Sequence, residues 1–242
     1  MEDLAEQLEA QLRSVATPER AEHEKRYLKS DLGFLGASVW QIRRAAREIV
    51  RGRELGHDGL MALVDELWSK PVHERRMAAV FVLDRFVALL GSDDLPLIER
   101  LVRESKTWAL VDGLATDVLG AMVRADSGAL AGAMDRWATD DDFWLRRASL
   151  LAELRPIRDG APMTRFLARA DVMLDEREFF IRKAIGWVLR EAGKRHPEVV
   201  AAWLGPRTGR ASGVTMREAV KYLPAVDAGR LTSAYREGRA AD

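Results

Sequence analysis

The sequence predicts an all-α fold of stacked helical hairpins. Three observations point to it: apolar residues recur at three- and four-residue spacing through almost every segment, no run alternates as a strand would, and one short pattern returns about every 35 residues. Turn-forming residues divide the chain in order. Thr17-Pro18 places a proline where a helix tolerates it, in its first turn. The glycine-bearing stretches Gly33 to Ser38 and Gly52 to Asp58 separate the next helices, and Lys70-Pro71 and Gly91 to Asp94 the following ones. Further on, Asp126-Ser127-Gly128, Thr139 to Asp142, Arg155-Pro156, Asp159-Gly160, Gly205-Pro206 and Gly209 to Gly213 close or open helices by the same chemistry. The pieces have ordinary helix lengths, about a dozen or more in all. No low-complexity linker interrupts them, so a single domain over 1–242 is expected.

Composition bounds the class. Of 242 residues, 48% are hydrophobic and 31% charged, the balance of a folded chain and not a disordered one. The 38 basic residues match 38 acidic ones, so net charge names no partner. The absence of cysteine removes disulfides, thiolate nucleophiles and cysteine zinc sites, and fits a reducing compartment. The acidic, amphipathic start MEDLAEQLEAQLRSV lacks the basic and apolar regions of a signal peptide, and no apolar run approaches a membrane span. A cytoplasmic, nucleoid-associated location without membrane contact is the expectation. Arginine outnumbers lysine 31 to 7. Recognition of anions by the guanidinium fork and simple coding bias both account for that ratio.

The repeat is an arginine, any residue, then an alanine: Arg43/Ala45, Arg76/Ala78, Arg146/Ala148, Arg182/Ala184 and Arg217/Ala219. The arginine-to-arginine steps are 33, 70, 36 and 35, so one member is missing near position 110. A single helical hairpin cannot bury its apolar stripe, and stacking on its neighbours completes the core. These segments resemble HEAT repeats, whose arginines often bond from repeat to repeat, and whose second helices line a concave face suited to extended partners. Each repeat arginine is therefore either stacking glue or a groove residue.

At the missing member, Leu110 replaces the arginine and Asp112 replaces the alanine. Trp108 lies four residues before Asp112, on the same helical face. One period on stands Arg147; one further stands Lys183, followed four residues later by Trp187. Most of the seven tryptophans, Trp40, Trp137 and Trp203 among them, are expected to be core filler.

YLKSDLGFLG at 27–36, TWALVDGLAT at 107–116, FWLRRASLLAEL at 143–154 and EFFIRKAIGWVLREAGKRHPEVVAAWL at 178–204 carry a family resemblance over nearly the whole chain. It resembles the AlkD family of DNA alkylation-repair glycosylases. The resemblance implies a catalytic set of Asp112, Trp108 and Trp187. It implies DNA contacts from Arg147, with Tyr27 and Lys29 matching an early tyrosine and lysine. Arg147 is preferred over Arg146, which the alanine register assigns to the repeat ladder. Repeat position adds Arg43, Arg182 and Lys183 to the expected DNA-binding set. The sequence departs from the family at Ala37 to Ile42, where proline is frequent, and this puts the local DNA contact in question.

The activity implied is hydrolysis of the N-glycosidic bond of positively charged N3- or N7-alkylated purines in duplex DNA, without base flipping, by a monomer needing no cofactor. Four scattered histidines, His23, His57, His73 and His196, offer no close ligand pair for a metal, and glycine-rich phosphate loops are absent. The run Asp140-Asp141-Asp142 reads as a helix cap. The alternative is a non-catalytic HEAT-repeat scaffold that binds DNA or protein on its concave face.

Overall fold

The computed structural model describes residues 1–240, with side chains through 238. The chain forms two compact units, Met1–Val118 and Leu119–Asp242. In the first, helices α1 (Glu2–Val15), α2 (Pro18–Leu28), α3 (Val39–Ile49), α4 (His57–Ser69), α5 (His73–Arg85), α6 (Leu95–Glu104) and α7 (Trp108–Gly113) follow one another. Residues Leu114–Leu119 continue α7 as a π-helical segment. The second unit holds α8 (Gly120–Ala125), α9 (Ser127–Trp137), α10 (Phe143–Leu151), α11 (Leu154–Arg158), α12 (Thr164–Val172), α13 (Phe179–Ala192), α14 (Pro197–Leu204), α15 (Gly213–Ala219) and α16 (Ala225–Ala240). Among the described residues the sole extended pairing is an isolated parallel bridge, Gly33 to Val72. No described helix is long and apolar enough to cross a membrane.

The repeat is visible in the packing. Ala45, Ala78, Ala148, Ala184 and Ala219 are each at most 1% exposed, because a methyl group is what lets one helix lie close against the next. Side-chain bonds between hairpins recur at the same separation: Trp68 Nε1 donates to Glu104, 36 residues on; Arg169 to Asp135, 34 away; Lys183 to Glu218, 35 away; Arg207 to Asp171, 36 away. The break between α6 and α7 is one that turn composition does not announce. Ser105 returns its hydroxyl to Leu101 O and Lys106 takes φ 52°, ending the helix without glycine or proline.

The segment joining α2 to α3 is held from within. The buried Glu74 carboxylate accepts the backbone N–H groups of Leu35, Gly36 and Ala37 at 3.0, 2.7 and 3.2 Å, and Gly36 O accepts from Thr17 N at 3.1 Å. Gly36 has φ 98°, and a Cβ there would lie 2.0 Å from Thr17 O. Gly36→Ala is therefore expected to cost about 2–3 kcal/mol through left-handed strain and displacement of that bond, a fall of roughly 4–12 °C in Tm by calorimetry.

Candidate functional site

Asp112 and Trp108 sit one turn apart on α7, and both are half-buried. The alanines that Asp112 replaces are buried, so this carboxylate does not occupy their packing position. The close approach passes to the next residue: a Cβ on Gly113 would stand 2.9 Å from Val80 Cγ1 on α5. Glycine lets α7 press onto α5 while Asp112 keeps access to the surface. The π-helical segment begins immediately afterwards, at Leu114. Such an extra backbone residue per turn re-aims neighbouring side chains and is frequent at functional sites.

Tyr27, 81 residues earlier, meets this pair. It lies in the last turn of α2, 61% exposed, with its ring 5.7 Å from that of Trp108 at an interplanar angle of 85°. This edge-to-face contact fixes the indole's orientation. His23, one turn before Tyr27, stacks with it at 6.3 Å. Lys29 caps α2 in a left-handed conformation, φ 48°, with its side chain exposed. Arg43 on α3 is exposed too, its guanidinium 4.1 Å from the centre of the Phe81 ring.

In the second unit, Arg147 is 3% exposed. Its Nη1 donates to Phe180 O, and its guanidinium lies 5.7 Å from the Phe180 ring, beside the cluster of Phe143, Trp144 and Phe180. The neighbouring Arg146 bonds Glu176 at 2.9 Å and the Asp140 carbonyl, a ladder role. Arg182 donates to Glu176 O at 2.7 Å. Trp187 is half-buried, flanked on α13 by Lys183 and Arg190, both paired with Glu218 of α15. Burial raises the pKa of Glu218, but the hydrogen bond from Lys183 and the charge of Arg190 outweigh it and hold the carboxyl below its usual range. A Cβ on Gly186 would meet Glu218 Cβ at 2.8 Å, so α13 and α15 touch at this point.

Trp137 is buried at 2%, as core filler should be, and Trp203 is half-buried under Arg207. Trp40 is 67% exposed, contrary to expectation. Ile42, Ala45, Ala46 and Ile49 form the buried side of α3, which leaves position 40 on the outer side. The Tyr27–Trp108 contact and the Glu218 bridge carry no sequence signal, since their partners come from separate helices.

The sequence profile of the DNA alkylation repair enzyme family matches residues 8–223. A protein from Enterococcus faecalis described as a predicted DNA alkylation repair enzyme superposes with a TM-score of 0.79, over 87% of this chain and 97% of its own, at 21% identity. AlkD2 from Streptococcus mutans gives a TM-score of 0.61 over 78% of this chain and 91% of its own, at 17% identity. Comparison with curated proteins gives no significant match. Identities this low carry the fold alone, a helical-repeat architecture, whereas the profile covers nearly the whole chain: it belongs to the AlkD-like family of DNA alkylation repair enzymes.

Proposed function

We infer that the protein is a DNA glycosylase that removes positively charged N3- or N7-alkylated purines from duplex DNA, working as one monomeric domain over 1–242 without a cofactor. The observation that carries this reading is Asp112 one helical turn from Trp108, both reaching the surface, with the Tyr27 ring nearly perpendicular to the indole.

An alkylated purine bears a positive charge and leaves readily. As the C1′–N bond breaks, its electron pair neutralises the base, and positive charge builds on the deoxyribose. An ionised Asp112 stabilises that charge, and then takes a proton from the water that adds to C1′. The indole face of Trp108 favours a cationic sugar through its ring quadrupole, and Trp187 completes the proposed catalytic set. The reaction proceeds without base flipping, because a leaving group already activated by charge needs no enclosing pocket to protonate it.

Lys29 and Arg43, both exposed, are suited to the phosphates, as is Tyr27 through its hydroxyl. Arg147, Arg182 and Lys183 belong to the same proposed set. Each is bonded within its own unit, so replacing Arg147 is expected to lower thermal stability as well as duplex affinity, two quantities read separately by calorimetry and anisotropy.

The test is product analysis. Duplex DNA treated with a methylating agent and incubated with the protein is expected to release free 7-methylguanine or 3-methyladenine, leaving abasic sites. Duplex binding without release of any base from any alkylated duplex would replace this reading with that of a non-catalytic scaffold.

A further inference from the structure

The outer side of α3 carries a row of arginines, of which only Arg43 belongs to the phosphate contacts proposed above. With Ile42, Ala45, Ala46 and Ile49 buried, Trp40, Arg43, Arg44 and Arg47 remain outside, and Arg51 continues the row just past the helix end. Together with Glu48 they line a groove of about 380 Å³. A second cavity of about 240 Å³ adjoins it through Arg43 and Arg47 and adds Phe81, Asp84 and Arg85 from α5. Of the two carboxylates on these walls, Glu48 is engaged by Arg44 at 2.8 Å and by Gln11. Five arginines thus face two carboxylates, in a chain whose total charge is zero. Hairpin stacking does not account for the row: Arg47 and Arg51 point to solvent, whereas Arg76 and Arg146 bond the next hairpin.

We propose that this groove grips the sugar-phosphate backbone of duplex DNA outside the damaged nucleotide, with Arg43, Arg47 and Arg51 on consecutive phosphates and Trp40 as a wall at its end. The partner's identity rests on the repair reading above; the groove's preference for a polyanion rests on its charge. Residues four apart on a helix advance about 6 Å along its axis, a step that long guanidinium arms match to successive phosphates of one strand. An unpaired base stacked on Trp40 fits less well. The Arg44 guanidinium already lies 5.7 Å from the centre of that ring, and so competes for its face. Trp40 falls where the sequence departs from the family pattern, so this feature belongs to this chain's own surface.

The experiment measures binding of undamaged duplex by fluorescence anisotropy over a range of salt concentrations, for the wild type, Arg47→Ala/Arg51→Ala, Arg47→Lys/Arg51→Lys and Trp40→Ala. Removing one cation from a phosphate makes the plot of log affinity against log salt shallower by about 1. The alanine pair is expected to flatten the slope by roughly 2, and the lysine pair to restore it. Trp40→Ala is expected to weaken binding with no change of slope, because it carries no charge. An unchanged slope in the alanine pair overturns the proposal, and so does weakened binding confined to single-stranded DNA of the same length. Base release by the wild type is scored separately. Absent release with a flattened slope removes the glycosylase reading and keeps the groove, while release with an unchanged slope does the reverse.

Discussion

Asp112→Asn is expected to lower single-turnover release of methylated purine from duplex DNA by about 10²–10³-fold, with duplex affinity kept within a few-fold. The substitution preserves shape, removes the charge and turns one acceptor oxygen into a donor. The expected loss corresponds to about 2.7–4 kcal/mol of transition-state stabilisation, the scale of one well-placed electrostatic group acting on a developing charge. Asp112 is half-buried, and the tight packing against α5 falls to Gly113, so the change should leave the melting temperature close to that of the wild type. A rate within threefold of wild type at saturating protein would place catalysis elsewhere.

Arg75→Ala is expected to cost about 3–5 kcal/mol, because it breaks a buried ion pair and leaves Glu9 with only Arg13 and the more distant Lys70. The Arg75 guanidinium is fully buried. It donates to Glu9 at 2.8 Å, to Glu6 at 3.2 Å and to the Glu66 carbonyl at 2.7 Å, and so ties α1 to the α4–α5 hairpin. Replacing both members with apolar residues, Arg75→Met with Glu9→Leu, should cost less than Arg75→Met alone, since no buried charge is left over. Thermal melts of the three variants check the order.

The same cluster sets an acid limit. Burial alone would raise the Glu9 pKa, but the hydrogen bonds from Arg75 and Arg13 and the charges of Lys70 and Arg13 bring it down to about 2 from 4.5. A carboxyl whose folded pKa is depressed stabilises the fold fully above its unfolded pKa. That stability is lost as pH falls from about 4.5 toward 2. The wild-type melting temperature should therefore drop across this window, and Arg75→Ala should show a shallower drop because part of the stabilisation is already gone.

Glycines and prolines are local punctuation, and their chemistry does not depend on the rest of the fold. That is why the breaks at Thr17-Pro18, Lys70-Pro71 and Gly205-Pro206 were legible, while the one at Lys106, made by an ordinary residue in a left-handed conformation, was not. The alanine of each repeat was legible for a similar reason: only a small side chain fits where helices touch, whatever the details. Arginine is different. Its long arm reaches a carbonyl, a carboxylate, a ring face or solvent with equal ease, so the residue type does not reveal its role. Arg76 bonds the Glu104 carbonyl, Arg147 bonds the Phe180 carbonyl, and Arg47 bonds nothing among the described residues.

By itself the sequence determined the all-α class, the period of the repeat and the position where the period fails, because apolar spacing and side-chain size act locally and are written in order along the chain. Only the tertiary structure decided that Tyr27 meets Trp108, that Gly113 takes over the packing duty Asp112 gave up, that Arg147 is buried and that Trp40 is not. Each of these depends on which helix lies across from which, a choice made by the summed burial of many residues, with no single one of them recording the result.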